Sequence, residues 1–180
     1  MKPKRIVITG GPGTGKTTII NQLIELGYSC AEEISRQVTL EAKKKGIDQL
    51  FLTDPVLFSD LLLKGRIKQF EDATLDDNNI VFLDRGIPDV VAYMDYIGTD
   101  YPNRFIEACH TYKYDLAFVL APWQDIFISD NERYENFDQA VQIHDNLLTT
   151  YSKFGYQLID VPFGSVRKRT EFILKNSNAL

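Results

Sequence analysis

The sequence predicts a three-layer α/β fold, a five-stranded parallel sheet flanked by helices. Three observations carry that prediction. Short apolar runs recur along the 180-residue chain and alternate with longer stretches of helical spacing, the pattern of right-handed strand–helix–strand crossovers. One run, Ile80-Val81-Phe82-Leu83, is apolar at every position, as a strand buried on both faces is. Polar and glycine-bearing residues follow directly after the strands, at the end of the sheet where open α/β folds bind ligands.

Arg5 to Thr9 is the first strand, followed by a glycine-rich loop over Gly10 to Gly15. Lys16 to Leu26 has helical apolar spacing (Ile19, Ile20, Leu23, Leu26), and Gly27 is its left-handed cap residue. Tyr28 to Ala31 is the second strand, with Glu32 and Glu33 at its carboxyl end. Ile34 to Lys45 is an amphipathic helix that ends in a basic run and Gly46. Asp54-Pro55 starts the next helix, Asp as the cap and Pro at the first helical position. That helix runs through Phe70, although Gly65 costs ~1 kcal/mol against Ala, and Ala73 to Asn79 is a polar turn. The third strand, Ile80 to Leu83, ends in Asp84-Arg85-Gly86. Pro88 opens a helix that Gly98 closes, and Asn103 to Cys109 is a short helix. Leu116 to Leu120 is the fourth strand, ended by Ala121-Pro122. Trp123 to Phe137 has weak periodicity and reads as a mobile, lid-like segment. Asp138 to Tyr151 is helical with Gly155 as its terminator. Tyr156 to Val161 is the fifth strand, Ser165 to Leu174 the closing helix, and Asn176 to Leu180 a frayed end. No repeat, low-complexity tract or linker intervenes, so residues 1–180 read as a single domain.

Composition narrows the function classes. A hydrophobic fraction of 44% and a charged fraction of 25% are ordinary for a globular protein. The net charge of −5 argues against a general nucleic-acid binder, since no excess positive field collects phosphates. Cys30 and Cys109 stand in unrelated contexts, as unpaired buried thiols in a reducing compartment do. No stretch reaches ~18 apolar residues, and the apolar run behind Lys2, Lys4 and Arg5 is too short for a signal-peptide core. The expectation is a cytoplasmic protein without integral membrane contact; the sequence sets no oligomeric state.

Gly10, Gly15, Lys16 and Thr17 satisfy G-x-x-x-x-G-K-[ST], the phosphate-binding P-loop, in the strand–loop–helix context that motif needs. The backbone N–H groups of Gly11, Pro12-flanked Gly13, Thr14, Gly15, Lys16, Thr17 and Thr18 curl into an anion nest. The helix that follows adds unpaired N–H groups and the positive end of its dipole. Lys16 reaches the β- and γ-phosphates as a point charge, and the Thr17 hydroxyl ligates Mg²⁺. The expected ligand is a nucleoside triphosphate, ATP with Mg²⁺.

Asp84 follows an apolar strand and so occupies a Walker B position, where a carboxylate holds the Mg²⁺ shell; the alternative is a strand-end cap for the next helix. Arg85 faces the phosphates or an anionic acceptor, or else pairs with Asp84 or Asp89. Glu33 and Arg36 lie three apart on one helix face. Either Glu33 takes the proton from, or orients, an acceptor hydroxyl, or the two form a solvated salt bridge; Glu32 is the weaker choice. Arg133, in Asp130-Asn131-Glu132-Arg133, folds over the triphosphate or belongs to an ordinary polar loop. Lys64, Arg66 and Lys68 read as mostly solvated charges. Tyr93, Tyr96 and Trp123 read as core rather than as a base-stacking platform. His110 and His144 lack partners at ligand spacing.

A GTPase switch needs a guanine-reading Asn/Thr-Lys-x-Asp after the fourth strand, and Ala121-Pro122-Trp123 stands there instead. A motor ATPase places a carboxylate after the Walker B Asp, where this chain has Arg85. A small-molecule kinase needs a P-loop, a metal-organising Asp, an acceptor pocket and a closing Arg, and the chain offers each. Its rival is a nucleotide-dependent binding protein or regulatory ATPase whose partner affinity changes between ATP and ADP.

Gly10 to Thr18, Glu32-Glu33-Ile34-Ser35-Arg36, Phe82-Leu83-Asp84-Arg85-Gly86, the Asp130–Arg133 stretch, Ala140 through Tyr151, and Gly155-Tyr156 together resemble the NadR-like P-loop family. That family carries an AAA-type ATPase label and is similar to nicotinamide riboside, deoxynucleoside and thymidylate kinases; the resemblance also implies, as the rival reading, a nucleotide-dependent binding protein with an anionic lipid or a protein as partner. The resemblance implies a sheet in which strand three lies beside strand one, setting Asp84 next to the P-loop. It also implies Thr17 and Asp84 around Mg²⁺, Lys16 and Arg133 on the phosphates, and Glu33, Arg36 and Arg85 facing a nucleoside-like or other small-molecule acceptor.

Overall fold

The computed structural model describes residues 2–31, 33–127 and 136–179. Among these residues a five-stranded parallel sheet runs in the order β2-β3-β1-β4-β5. The strands are β1 (Lys4–Gly10), β2 (Ser29–Ala31), β3 (Ile80–Asp84), β4 (Leu116–Leu120) and β5 (Ile159–Asp160). Strand three is therefore hydrogen-bonded to strand one, with Ile8 in register with Asp84, and Gly10 in register with Leu120 across β1 and β4.

The period-two alternation of β1 divides its side chains between two apolar layers. Ile6 and Ile8 join Phe82, Phe118 and Leu120 beneath α1 (Lys16–Glu25) and α8 (Val166–Ser177), whose Ile19, Leu23, Ile173 and Leu174 complete that layer. Val7 and Leu83 face the other way. There they meet α2 (Ile34–Lys44), α3 (Leu50–Thr53), α4 (Pro55–Thr74), α5 (Ile87–Ile97), α6 (Arg104–Thr111) and α7 (Phe137–Lys153). Ile6, Val7 and Ile8 are wholly buried, which is why the segment just ahead of the loop is rigid enough to aim it.

Local signals act as expected at several ends. The Asp54 carboxylate accepts the Leu57 N–H at 2.9 Å and caps α4, and Gly27 sits left-handed after α1 at φ 87°. Other boundaries moved. Helix α4 continues to Thr74, into the predicted polar turn, because Ala73 is buried against the core. The four-residue α3 carries too short a pattern to announce itself. Strand β5 keeps only two of its six predicted residues. Of the predicted frayed end, residues 176–179 are tied down, and Leu180 lies outside the described residues. Helix α8 extends to the buried Ser177, and the Ala179 N–H donates to the Leu174 carbonyl at 3.0 Å. Tyr28 then donates its hydroxyl to the Ala179 carbonyl at 2.9 Å. Of the predicted lid-like segment, Gln124–Ile126 forms a 3-10 turn; residues 128–135, Arg133 among them, and Glu32 lie outside the described residues.

No helix among the described residues is long and apolar enough to cross a membrane.

Candidate functional site

Strand β1 delivers the chain to Gly10, where a Cβ would stand 2.6 Å from the Leu120 carbonyl of β4. Gly13 and Gly15 then turn left-handed at φ 71° and 84°, so the loop curls back over the strand end. Gly15 is the N-cap of α1 and supplies no side-chain acceptor. The first-turn N–H groups of Lys16, Thr17 and Thr18 are thus left for an external anion. Lys16 is buried, its Nζ donating to the carbonyls of Gly10 and Gly11, each at 2.8 Å. Burial and then the charge of Arg85 lower its amine to about 7, against the pull of Asp84, Glu33 and Asp89. Thr14 is buried and donates its hydroxyl to the Gly11 carbonyl at 3.0 Å. Thr17 and Thr18 are exposed on the open side, and Thr18 donates its hydroxyl to the Gly15 carbonyl at 2.7 Å.

The β1–β3 pairing sets Asp84 beside this loop. Asp84 is 3% exposed, and its Oδ1 has no hydrogen-bond partner among the described residues. Burial raises its carboxyl above the usual range, with Lys16 and Arg85 pulling the other way. Arg85 follows in a left-handed conformation, φ 70°, which costs on the order of 1 kcal/mol or more in a residue with a Cβ. Its backbone N–H continues the ladder onto the Ile8 carbonyl at 3.1 Å. Its guanidinium donates to the Gly10 carbonyl at 3.0 Å and to Glu33 Oε1 at 3.3 Å, and stands 3.5 Å from Asp89 Oδ1. Burial disfavours the Arg85 charge, but Glu33, Asp89 and Asp84 outweigh it and raise the group above its ordinary value. Glu33 also takes the Ser35 hydroxyl at 2.6 Å. Burial pushes Glu33 up, yet Arg85, that hydrogen bond and Lys16 carry it down to about 2.

The structure therefore gathers Lys16, Glu33, Asp84 and Arg85 into one cluster, in which Lys16 and Asp84 are buried and Glu33 and Arg85 partly buried. Arg36 stays at its rim, its side chain 71% exposed and its Nε 4.0 Å from Glu33 Oε2.

Two buried arginines beside this cluster do not follow from motif spacing. Arg66 of α4 is 2% exposed and donates to the Asp84 backbone carbonyl at 3.2 Å. The expectation of solvated charges holds for its neighbours, Lys64 paired with Asp60 at 2.8 Å and Lys68 with Asp72 at 2.6 Å, and fails for Arg66. The signal was present: Leu62, Arg66 and Phe70 stand four apart on one helical face. On the far side, Arg169 of α8 is 2% exposed and donates to the Thr14 carbonyl at 3.0 Å. A Cβ on Gly15 would meet its Nη1 at 2.8 Å. Its guanidinium lies 5.9 Å from the ring centre of Trp123, which stacks on Phe163 at 5.0 Å. Trp123 thus belongs to neither apolar layer and lies on the nucleotide-loop side, whereas Tyr93 packs against the core as expected. An apolar groove of about 580 Å³ between α2, α3 and α4 is separate, and none of the P-loop residues lines it.

A family described as an AAA domain matches residues 5–169. No curated protein matches the sequence. Solved structures match in fold. Deoxyadenosine kinase from M. mycoides, with products dCMP and a flexible dCDP bound, has a TM-score of 0.71 at 17% identity, over 98% of this chain and 100% of that one. NadR protein in complex with NR has a TM-score of 0.72 at 18% identity over 98% of this chain, which spans 51% of the NadR chain. Thymidylate kinase from Candida albicans has a TM-score of 0.69 at 14% identity, over 99% and 92%. All share the P-loop, nucleoside-kinase-like fold.

Proposed function

The chain belongs to the AAA domain family, and from that premise and the geometry of its site we propose that it is a Mg²⁺-dependent small-molecule kinase. It transfers the γ-phosphoryl group of ATP to a hydroxyl of a nucleoside-like metabolite. The observation that carries this reading is the convergence of an uncapped α1, the buried Lys16, and Asp84 and Arg85 of the neighbouring strand at one end of the sheet. Fold likeness to kinases of deoxyadenosine and thymidylate, and to NadR holding NR, supports the acceptor class.

In this reading the backbone nest from Gly11 to Thr18 holds the triphosphate, and Lys16 leaves the Gly10 and Gly11 carbonyls for the β- and γ-phosphate oxygens. Trp123, Phe163 and Arg169, beside the loop, offer a surface to the base. Arg85, oriented by Glu33, faces the transferring group and its acceptor. Glu33 orients the acceptor hydroxyl rather than deprotonating it, because a carboxyl held near about 2 is a weak base. Arg36 meets the acceptor from the rim, and Arg133 adds charge over the phosphates.

The residues present fit a magnesium ion. Asp84 presents a buried oxygen without a hydrogen-bond partner among the described residues. Among the described residues no group of three His, Cys, Asp or Glu side chains could cage a metal, which suits an ion that keeps its waters and takes phosphate oxygens. Thr17 and Asp84 would hold it, and when bound it neutralises charge on the phosphates. The test is ADP formation across a panel of nucleosides. A kinase gives acceptor-stimulated turnover and a phosphorylated product; a nucleotide-dependent binding protein gives neither, and changes partner affinity between ATP and ADP.

A further inference from the structure

The carboxylate of Asp89 is buried at the junction of three elements and accepts three hydrogen bonds beside one ion pair. Oδ1 takes the Thr9 hydroxyl at 2.5 Å, from the last residue of β1 before Gly10, and stands 3.5 Å from Arg85 Nη1. Oδ2 takes the Gly86 N–H at 2.8 Å and the Tyr151 hydroxyl of α7 at 2.6 Å. The approach of Tyr151 depends on the residue after Arg85: a Cβ on Gly86 would stand 2.8 Å from the tyrosine oxygen. Helix α7 touches the nucleotide loop as well, for a Cβ on Gly11 would lie 3.2 Å from the Ala140 carbonyl.

We propose that Asp89 and Tyr151 are positioning residues that brace Arg85: Tyr151 fixes the Asp89 carboxylate, and the carboxylate fixes the left-handed Arg85 turn and its guanidinium against the Gly10 carbonyl. The brace makes α7 a mechanical partner of both halves of the site. Its consequence for turnover rests on the kinase reading given above; its consequence for Arg85 does not.

The decisive variant is Tyr151→Phe, which removes one oxygen and keeps the ring. Asp89→Asn is harsher, because its amide must face a donor. Three readouts are taken together: the ¹⁵N resonance of the Arg85 Nε–H, steady-state kinetics with ATP and the acceptor, and affinity for a non-hydrolysable ATP analogue. Tyr151→Phe is expected to shift and broaden the Arg85 signal and to lower kcat about tenfold, the scale of one lost hydrogen bond to a charged group. The KM for ATP and analogue affinity stay within about twofold. In an Arg85→Ala background the same change costs nothing further, since coupled residues are non-additive. An unmoved Arg85 resonance in Tyr151→Phe, or a kcat loss that multiplies in full on Arg85→Ala, overturns the brace. Should the wild-type protein phosphorylate no acceptor, the kinase reading fails, and the Arg85 resonance alone decides the brace.

Discussion

At the scale of single residues, the site balances buried cations against buried anions, and Lys16 shows what that balance does. Its amine is held near about 7 in the ligand-free fold, against 10.5 in an open chain. Between those values the unfolded chain binds the extra proton, so ligand-free stability rises with pH across that window. A triphosphate reverses the balance by bringing negative charge to the ammonium. ATP binding at pH 8 is therefore expected to take up close to one proton, and at pH 6 close to none. Calorimetry in two buffers of different ionisation heat measures this, and equal heats at pH 8 contradict it. Glu33 has the opposite sign. Its folded value of about 2 lies below the 4.5 of a free carboxyl, so its contribution is full above 4.5 and is lost as pH falls toward 2. Glu33→Gln should flatten the acid limb of the stability curve. Lys16→Ala is expected to abolish nucleotide-dependent activity. Asp84→Asn should remove turnover, by a factor of about a hundred or more, while ATP still binds; wild-type turnover in that variant would show that Asp84 has another role. Motif spacing singled out Lys16, Thr17 and Asp84 as candidates, because the pattern that marks each lies in neighbouring residues. The Arg85–Asp89 pair was legible as the alternative role for Arg85, but Tyr151 and Arg169 were not, since their partners lie 62 and 155 positions away and only folding brings them together.

Elements carry the site through close packing more than through propensity. Gly65, a liability by helix propensity alone, lies where a Cβ would stand 2.7 Å from Ile34 Cδ1 and 2.8 Å from its Cγ2. Ile34 opens α2 directly after Glu33, so the approach of α4 to α2 sets where Glu33 meets Arg85. Gly65→Ala is expected to destabilise by about 1–3 kcal/mol through overpacking, partly offset by the gain in helix propensity. Ile34→Ala carries its own core-truncation loss but relieves the clash, so the double variant is expected to lose less than the sum of the two single losses. Thermal melts of the two single variants and the double test this, and strict additivity would refute the contact. The sequence pattern identified the Gly as a cost but not its reason, because the other helix is 31 positions away in the chain. The same limit applies to β5. Its six apolar-leaning residues suggested a full strand, yet an edge strand pairs on one side only, through Phe118 with Ile159 and Val119 with Asp160.

Across the whole molecule, sheet order brings the chemistry together. Strand β3 inserts beside β1, so Asp84 and Arg85 arrive at the loop that begins at Gly10, although Gly10 and Asp84 lie 74 positions apart in the chain. Alternating strands and helices were enough to predict a parallel sheet, and the resemblance supplied the neighbour relation of strands one and three. The account as a whole turns on where the terminal phosphoryl group goes. Incubation of the protein with magnesium, γ-labelled ATP and a panel of nucleosides, followed by mass spectrometry of the small molecules, reads this directly. The account predicts label in a phosphorylated nucleoside, formed in step with ADP and absent with Lys16→Ala. Label found solely in inorganic phosphate, at a rate no nucleoside changes, would contradict it.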